Sequence, residues 1–259
     1  MTLLNQHSAL ITGAGQGIGR GIALQLAAAG ADVVIADIDL AAAEKVVYEA
    51  SSLGVSAMAV AMDVTDTNVI DKTVKQAVAR FPDIGILVNN AGAMQQHFSQ
   101  STTLDDFTLC HHVNVAAIWS VTQALLPQLK TQGNGRIINI ASTGGRIGSA
   151  ETPAYSAAKA AAINLTQSQS LALAPFDITV NAVCPGLVWT PMWASIETLV
   201  NKKACVEDRE TFNQAVNTTP LQRPITPDDI GHAVVFFASD RARNITGQAL
   251  NINAGSLMN

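Results

Sequence analysis

The chain has few charged residues and no basic run. Only 14% of its 259 residues are charged, and the formal net charge is −5. No cluster of Lys and Arg extends beyond the pair Lys202-Lys203, so the basic patch that nucleic-acid-binding proteins carry is not expected. Hydrophobic residues make up 48% of the chain, which leaves a surface poor in charge and hints that other subunits cover part of it.

Long apolar runs are also lacking. The apolar stretch Gly21–Ala36 is interrupted by Gln25 and Asp32, too early for a membrane span of about 20 residues. The segment Met1–Leu10 has neither a basic start nor a long apolar stretch, so we do not expect a signal peptide.

Cysteine and histidine are too sparse and too scattered to predict disulfides or a metal site. Cys110, Cys184 and Cys205 are odd in number and form no CxxC, which indicates free thiols in a reducing cytoplasm. The neighbouring pair His111-His112 would point about 100° apart on a helix and could not share a metal ion. We therefore expect no metal and a cytoplasmic location.

Short apolar segments alternate with helical segments along the whole chain. The predicted strands are Ser8–Ile11, Asp32–Ala36, Val55–Ala61, Ile86–Asn89, Arg136–Ala141, Thr179–Val183 and Ala249–Ile252. The predicted helices are Ile18–Ala29, Leu40–Ser52, Thr67–Phe81, Leu104–Lys130, Pro153–Ala174 and Pro227–Ser239. Strands that are apolar along their whole length, separated by helices, indicate a parallel sheet covered on both faces. The pattern predicts one α/β domain over residues 1–259, a doubly wound parallel sheet with a substrate-loop insertion at about 185–224.

A glycine-rich turn, Thr12–Gly19, follows the first predicted strand and opens the first helix. Glycine lets the backbone turn sharply and approach a pyrophosphate, which the free N–H groups and positive end of the helix then hold. Asp37 ends the second strand about twenty residues later, where a carboxylate can bind the adenosine ribose hydroxyls. These features predict a dinucleotide site. The alternatives are an ordinary strand–helix turn and, for Asp37, a helix cap before Leu40.

Asp37 also favours NAD over NADP. Its carboxylate would repel a 2′-phosphate, and neither Ala14–Gly17 nor Ile38-Asp39 contains an Arg or Lys that could receive one.

The TGxxxGxG spacing of this turn resembles that of the short-chain dehydrogenase/reductase family, in its single-domain branch. Further segments that match the family are Asp63-Val64, Asn89-Asn90-Ala91-Gly92, Tyr155-Ser156-Ala157-Ala158-Lys159 and Pro185-Gly186. The resemblance implies a Rossmann fold that binds a nicotinamide dinucleotide, for which Asp37 favours NAD. The cofactor contacts it implies, together with Asp37, are Gly13, Gln16, Gly17, Ile18, Gly19, Asp63, Val64, Asn90, Ala91, Gly92, Tyr155, Lys159, Pro185, Gly186, Val188 and Thr190.

Four residues are predicted to carry the chemistry: Asn114, Ser142, Tyr155 and Lys159. Tyr155 and Lys159 are four apart on a predicted helix and share a face, so a nearby ammonium could lower the tyrosine pKa and let it act as a base. Ser142 follows a strand and could bond the substrate oxygen as charge develops there. The resemblance implies that Asn114 holds a water in a proton relay. The alternatives are a surface Tyr–Lys pair, a serine cap and an inert helical asparagine.

Substrate contacts are predicted in three loops, at Ser142, Met94, Arg146, Met192 and Trp193. The aromatic and hydrogen-bonding mixture favours a polyol, a sugar or a small hydroxy-ketone. A 3-oxoacyl thioester reductase and a non-catalytic NAD(H)-sensing protein stay as alternatives. Arg146 has its own alternative, a loop arginine bonded to a neighbouring carbonyl.

The resemblance also implies a homotetramer. In it the long helices Leu104–Lys130 and Pro153–Ala174 of two subunits would pack together, and the alanine-rich face at Ala154–Ala162 would allow a close approach.

Overall fold

The computed structural model describes residues 3–194 and 209–258, and within them a single parallel sheet forms the centre of the molecule. Its seven strands lie in the order β3-β2-β1-β4-β5-β6-β7. The strand bounds are β1 Ser8–Thr12, β2 Asp32–Asp37, β3 Ala57–Ala61, β4 Ile84–Asn89, β5 Arg136–Ile140, β6 Thr179–Pro185 and β7 Ala249–Ile252. Every neighbouring pair is parallel, and the strand order reverses between β1 and β4. The predicted doubly wound α/β fold is confirmed.

Helices cover both faces of this sheet. Their bounds are α1 Gly17–Ala28, α2 Leu40–Ser51, α3 Thr67–Arg80, α4 Leu104–His111, α5 Ala117–Gln132, α6 Pro153–Leu173, α7 Glu210–Asn217 and α8 Pro227–Ala238. Successive strand residues point to opposite faces, so Ile11 packs with α1, α2 and α8 while its neighbour Leu10 packs with α3 and α5. Both residues are fully buried, which explains why the strands are apolar along their whole length.

The prediction of one regular α-helix over Leu104–Lys130 is wrong, because a π turn interrupts it near the middle. Helix α4 ends at His111, a wider π turn covers His112–Ala116, and α5 then runs from Ala117 to Gln132. Such single π turns are often found at functional sites because they displace side chains from the regular helical positions. The displaced turn contains Asn114.

The predicted insertion at 185–224 is described only in part. β6 runs to Pro185, two residues beyond the predicted strand end, and α7 lies inside the insertion. Residues 195–208, with Cys205 and the Lys202-Lys203 pair, lie outside the described residues. Of the cysteines that the structure describes, Cys110 and Cys184 are both buried free thiols.

Two further searches cover the described residues alone. Within 3–194 and 209–258, no helix is both long enough and apolar enough to cross a membrane. The same residues contain no group of His, Cys, Asp and Glu side chains that could hold a metal ion.

Candidate active site

A cleft of about 1030 Å³ opens at the carboxyl ends of the parallel strands. The last residue of β2, Asp37, and the segments that follow β1, β4 and β5, with Gly13, Asn90 and Ser142, contribute to its wall. Ligands of open α/β sheets bind at this edge, where the strand order reverses. The cleft therefore lies where the fold predicts a ligand.

Nearly all of the predicted site residues line this cleft. They are Gly13, Gln16, Gly17, Ile18, Gly19, Asp37, Asp63, Val64, Asn90, Ala91, Gly92, Met94, Asn114, Ser142, Tyr155, Lys159, Pro185, Gly186, Val188, Thr190, Met192 and Trp193. Residues up to 180 positions apart in sequence thus meet at one surface. Arg146 is the predicted contact that is absent from the described lining.

The guanidinium of Arg146 is directed elsewhere. Its Nη2 donates a hydrogen bond to the carbonyl oxygen of Ala249 on the edge strand β7. This is the alternative of a loop arginine bonded to a neighbouring carbonyl, and the predicted substrate contact is corrected accordingly.

The glycine turn is packed too tightly for side chains. Gly13 has a φ of +61°, and a Cβ on it would lie 2.8 Å from the Cα of Ala91. A Cβ on Gly19 would lie 2.2 Å from the carbonyl oxygen of Gly13. Asn90 fixes the turn to β4, since its Nδ2 donates to the carbonyl oxygens of Thr12 at 2.9 Å and Gly13 at 2.8 Å. The turn is therefore held rigidly at the start of α1.

The N-terminus of α1 is suited to an anion. Its N-cap residue, Gln16, makes no side-chain cap bond to the first-turn amides. No acidic residue occupies the first turn either, so the positive end of the helix dipole is not offset locally. Loop packing brings Thr190 to this end, where a Cβ on Gly17 would lie 3.5 Å from its methyl group.

Asp37 lies beside the glycine turn and does not cap α2. Its Oδ2 accepts a hydrogen bond from the Gly15 amide at 2.7 Å, and its Oδ1 accepts one from the Asp39 amide at 3.0 Å. Asp39 is the residue that caps α2, accepting from the Ala42 amide. The carboxylate of Asp37 is therefore held at the cleft wall, and the cap alternative for it is excluded.

A second carboxylate lies at the same end of the cleft. The hydroxyl and the backbone N–H of Thr65 donate to Asp63 at 2.7 and 2.8 Å, and these bonds lower the pKa of its carboxyl group. Among the described residues that line the cleft, Lys159 is the sole Lys or Arg. The end formed by Asp37 and Asp63 is thus acidic, with no described cation in its lining.

Tyr155 and Lys159 lie one helical turn apart on α6, as predicted. Lys159 is only 4% exposed, and its Nζ donates to the carbonyl oxygen of Ile140 at 2.8 Å. The same Nζ lies 5.7 Å from the centroid of the Tyr155 ring. The ammonium is thus placed between the end of β5 and the tyrosine.

Burial shifts the pKa values of these two groups in opposite directions. It raises the pKa of Tyr155 to about 12, with the hydroxyl of Ser142 acting in the lowering direction. It lowers the pKa of Lys159 to about 8. The expectation that the ammonium lowers the tyrosine pKa is therefore wrong for this structure, since burying the phenolate outweighs any stabilisation by the lysine.

The hydroxyl of Ser142 interacts with two neighbouring groups, the Gly144 amide and the Tyr155 phenol. Its Oγ accepts from the Gly144 amide at 3.0 Å and so caps the short 3₁₀ turn Thr143–Gly145. The same Oγ lies near the ring of Tyr155, since the two are 3.4 and 3.7 Å from the position that a Cβ on Gly144 would occupy, and it lowers the pKa of the phenol. The cap and the position beside Tyr155 coexist.

Asn114 is fully buried in the π turn and bonded at both ends of its amide. Its Nδ2 donates to the carbonyl oxygens of Ala93 at 2.8 Å and Cys110 at 2.9 Å. Its Oδ1 accepts from the Ala93 amide at 3.3 Å. The residue fixes the loop after β4 to the π turn, which excludes the alternative of an inert helical asparagine.

Sequence reasoning missed two apolar residues at the substrate end. Phe98 and Ile147 line it with Met94, Trp193 and the loop residue Glu151. They come from loops without regular spacing, so no periodic signal could have marked them.

Gly145 was also missed. A Cβ on it would lie 2.5 Å from the backbone carbonyl carbon of Lys159, so the turn after Ser142 packs directly on α6. The one signal available in the sequence was that Gly144-Gly145 lies between Ser142 and Arg146, which were both predicted site residues.

The sequence and fold are similar to those of several known oxidoreductases. A family model described as enoyl-(acyl carrier protein) reductase matches residues 13–256. Galactitol 2-dehydrogenase of Agrobacterium fabrum is 38% identical over 256 residues, 98% of this chain and 99% of that protein. The 3-oxoacyl-(acyl-carrier-protein) reductase of Staphylococcus aureus is 35% identical over 252 residues, 97% of this chain and 98% of that protein. The crystal structure of NAD+-bound xylitol dehydrogenase superposes with a TM-score of 0.90 at 33% identity, covering 97% of this chain and 99% of that chain.

The chain belongs to the short-chain dehydrogenase/reductase family. It is an oxidoreductase that acts on an alcohol or a carbonyl group, and its relatives indicate a nicotinamide cofactor.

Proposed function

We propose that the protein is an NAD-dependent dehydrogenase that interconverts a secondary alcohol and its carbonyl by hydride transfer. The substrate class is a polyol, a sugar or a small hydroxy-ketone. The observation that carries the proposal is the arrangement of Tyr155, Ser142 and Lys159 around one point of the cleft, next to a glycine turn suited to a pyrophosphate.

The described residues fit a bound dinucleotide. The N-terminus of α1 offers amides without a side-chain cap, and the carboxylate of Asp37 lies 2.7 Å from the turn amide of Gly15. When bound, the nicotinamide ring accepts or donates the hydride. Its position in the family's cleft would bring it to Lys159, Thr190 and the Pro185-Gly186 turn.

Each polar side chain then has one task in moving the proton. In reduction, the phenol of Tyr155 donates its proton to the carbonyl oxygen; in oxidation, the phenolate takes the proton of the alcohol. Ser142 bonds the same substrate oxygen while charge develops on it. Lys159 places a positive charge near the phenol, which stabilises the phenolate when it forms.

The preference for NAD rests on the charge of the adenosine end. Asp37 and Asp63 place two carboxylates there, and the described lining offers no Arg or Lys for a 2′-phosphate. We expect kcat/KM with NAD to exceed that with NADP by at least tenfold, about 1.4 kcal/mol of transition-state binding. Higher kcat/KM with NADP would refute this part of the proposal.

The preference for a small neutral substrate rests on the other end of the cleft. Apolar walls from Phe98, Ile147 and Trp193 stand beside the carboxylate of Glu151. A carboxylate can accept bonds from substrate hydroxyls, whereas it would repel the phosphate of a carrier-bound thioester. Two of the relatives named above, galactitol 2-dehydrogenase and xylitol dehydrogenase, are named for polyols, which supports the same class.

A 3-oxoacyl thioester reductase is the second candidate, because a relative of that name covers nearly the whole chain. The deciding experiment follows NADH absorbance with galactitol, xylitol, 2,3-butanediol, acetoin and an acetoacetyl thioester. Turnover of the diols or acetoin supports the proposal, and turnover of the thioester alone decides for the second candidate.

The Tyr155→Phe variant is the matched control in that screen. It removes the hydroxyl alone, so turnover should fall by at least a hundredfold while NADH binding, followed by fluorescence, stays within twofold. Near-normal turnover would refute the role of Tyr155. NADH binding without turnover of any substrate would revive the sensing alternative.

We also propose a homotetramer. Leu104, Phe107 and Trp119 on α4 and α5, and Leu171 on α6, leave large apolar side chains exposed. The alanines Ala154, Ala157 and Ala158 line a shallow groove with Phe107 on the same side, where a second copy could pack closely. Light scattering should give about four times the 27.1 kDa chain mass. A monomer at micromolar concentration would refute this.

A further inference from the structure

Gln95 is buried in the loop after β4, and its side-chain amide is hydrogen-bonded at both ends. It is 2% exposed. Its Nε2 donates to the carbonyl oxygen of His97 at 2.6 Å and to Oγ1 of Thr102 at 3.0 Å. Its Oε1 accepts from the backbone N–H of Tyr155 at 3.1 Å.

The bond to Tyr155 caps the helix that carries the proposed acid/base. Thr152 is the N-cap of α6, but its side chain makes no cap bond. The first amides of any helix lack partners within the helix, and one of these is the N–H of Tyr155. Gln95 supplies the missing acceptor from a loop sixty residues away in sequence, at the residue whose phenol faces the cleft.

The rest of the loop is fixed against α4. Asp106 in the first turn of α4 accepts from the amides of Gln96 at 2.7 Å and His97 at 3.3 Å. The neighbours of this rigid portion, Met94 and Phe98, line the substrate end of the cleft. One side chain therefore joins a substrate-facing loop to the backbone of Tyr155.

We propose that Gln95 is a positioning residue for Tyr155. It caps α6 and couples the placement of the phenol to the loop formed by residues 93–103, so that a substrate packed against Met94 and Phe98 meets the phenol in a fixed position. The inference rests on the proposed function, in which Tyr155 transfers the proton. A misplacement of reacting groups by a fraction of an ångström to one ångström costs rate and leaves cofactor binding intact.

The first test compares Gln95→Met with Gln96→Met. The two glutamines are adjacent, but the side chain of Gln96 is exposed and its role in the loop is the backbone bond to Asp106. For Gln95→Met we expect kcat to fall ten- to a hundredfold with the diol or acetoin turned over in the screen, while the Kd for NADH stays within twofold. Gln96→Met should match the wild type in both. Equal kcat in the two variants and the wild type would overturn the proposal.

A second readout needs no substrate. Hydrogen exchange at the Tyr155 amide should accelerate at least tenfold in Gln95→Met, because its acceptor is lost, while amides in the middle of α6 keep their protection. This measurement separates the two proposals. If the wild type turns over nothing, the proposed function fails, and the exchange rate still decides whether Gln95 caps Tyr155. Unchanged exchange at Tyr155 would overturn the positioning role.

Gln95→Glu provides a charge-specific signature. Its carboxylate keeps an acceptor for the Tyr155 amide and adds a negative charge at the backbone of the same residue, which disfavours the phenolate. The apparent pKa in the pH profile of alcohol oxidation should rise by roughly half a unit to one unit. A residue that only stabilised the fold would lower the melting temperature without moving this profile. An unshifted profile would therefore overturn the proposal.

Discussion

The shifted pKa of Tyr155 can be tested directly because the chain has only two tyrosines. Tyr48 lies on α2 with 82% of its surface exposed, so Tyr48→Phe is expected to change stability by less than about 0.5 kcal/mol. Tyr155 is then the sole tyrosine. Ultraviolet absorbance of its phenolate reports its ionisation without any substrate.

The expected magnitude follows from burial. A pKa of about 12 in place of the ordinary value near 10 corresponds to about 2.7 kcal/mol against the phenolate. At pH 10 an ordinary tyrosine is half ionised, whereas a pKa of 12 leaves about 1% of the phenol ionised. Because the folded-state pKa is the higher one, the folded protein keeps its proton after the unfolded chain has lost it. This contribution to stability is present below about pH 10 and is lost as the pH rises from about 10 to 12.

The assay is a titration of the Tyr48→Phe variant from pH 7 to the onset of unfolding, with circular dichroism recorded at each point. We expect no phenolate signal at pH 10 while the protein is folded, and a signal that appears at higher pH or together with unfolding. A full-amplitude step near pH 10 in folded protein would refute the reasoning, since it would mean that burial does not govern this group.

Three further predictions follow from the contacts of the site. Asp37→Ala removes the carboxylate beside Gly15, so the preference for NAD over NADP in kcat/KM should narrow by at least tenfold; an unchanged ratio would contradict its role. Gly145→Ala places a Cβ against the backbone of α6 and should lower the free energy of unfolding, measured in urea, by about 1–3 kcal/mol. Gly148→Ala is the matched control: its Cβ would have nothing within 4 Å, so the free energy of unfolding should change far less. Lys159 has a lowered folded-state pKa, so its own contribution to stability should rise by up to about 3 kcal/mol from about pH 8 to 10.5. The raised pKa of the Cys110 thiol acts in the opposite direction above about pH 9 in both proteins, so the measured quantity is the difference in unfolding free energy between the wild type and Lys159→Met. This difference should increase over that range, and the variant should lose turnover; a difference that does not change with pH would contradict the assignment.

The fold was predictable because its signals are local and repeated. The sheet is covered on both sides, so neighbouring strand residues are buried in two different cores, as Leu10 and Ile11 are. Such strands appear in the sequence as unbroken apolar runs. The glycine turn and Asp37 can be located from the same pattern, because each lies at the end of a predicted strand. The carboxyl ends of parallel strands meet at one edge, so the order of these motifs also predicts which residues share the cleft.

What the sequence could not predict depends on contacts between distant segments. The π turn at His112–Ala116 has an ordinary helical pattern, and its extra residue is supported by the bonds of Asn114 to Ala93 and Cys110. Gln95 carries no local sign that its partner is the amide of Tyr155. Local spacing gives no information about such partners, because they are brought together by the packing of whole elements.

The direction of the tyrosine pKa shift was missed for a related reason. Helical spacing places Lys159 near Tyr155, and an ammonium nearby stabilises a phenolate. The spacing does not show that the lysine is almost fully buried and that its Nζ donates a hydrogen bond to the carbonyl oxygen of Ile140. The pKa of a side chain depends on its burial as well as on the nearest charge, and burial is a property of the folded molecule.

The opposite shifts of the two groups have a consequence for the proposed chemistry. With pKa values of about 8 for Lys159 and about 12 for Tyr155, the lysine loses its proton long before the tyrosine does as the pH rises. Burial therefore keeps Tyr155 protonated across the physiological range, which in the proposed function would suit the reduction of a carbonyl. Oxidation of an alcohol would need the phenolate and so additional positive charge near the phenol, which the oxidised nicotinamide of a bound cofactor would supply. The redox state of the cofactor and the proton on Tyr155 would then favour the same direction of reaction.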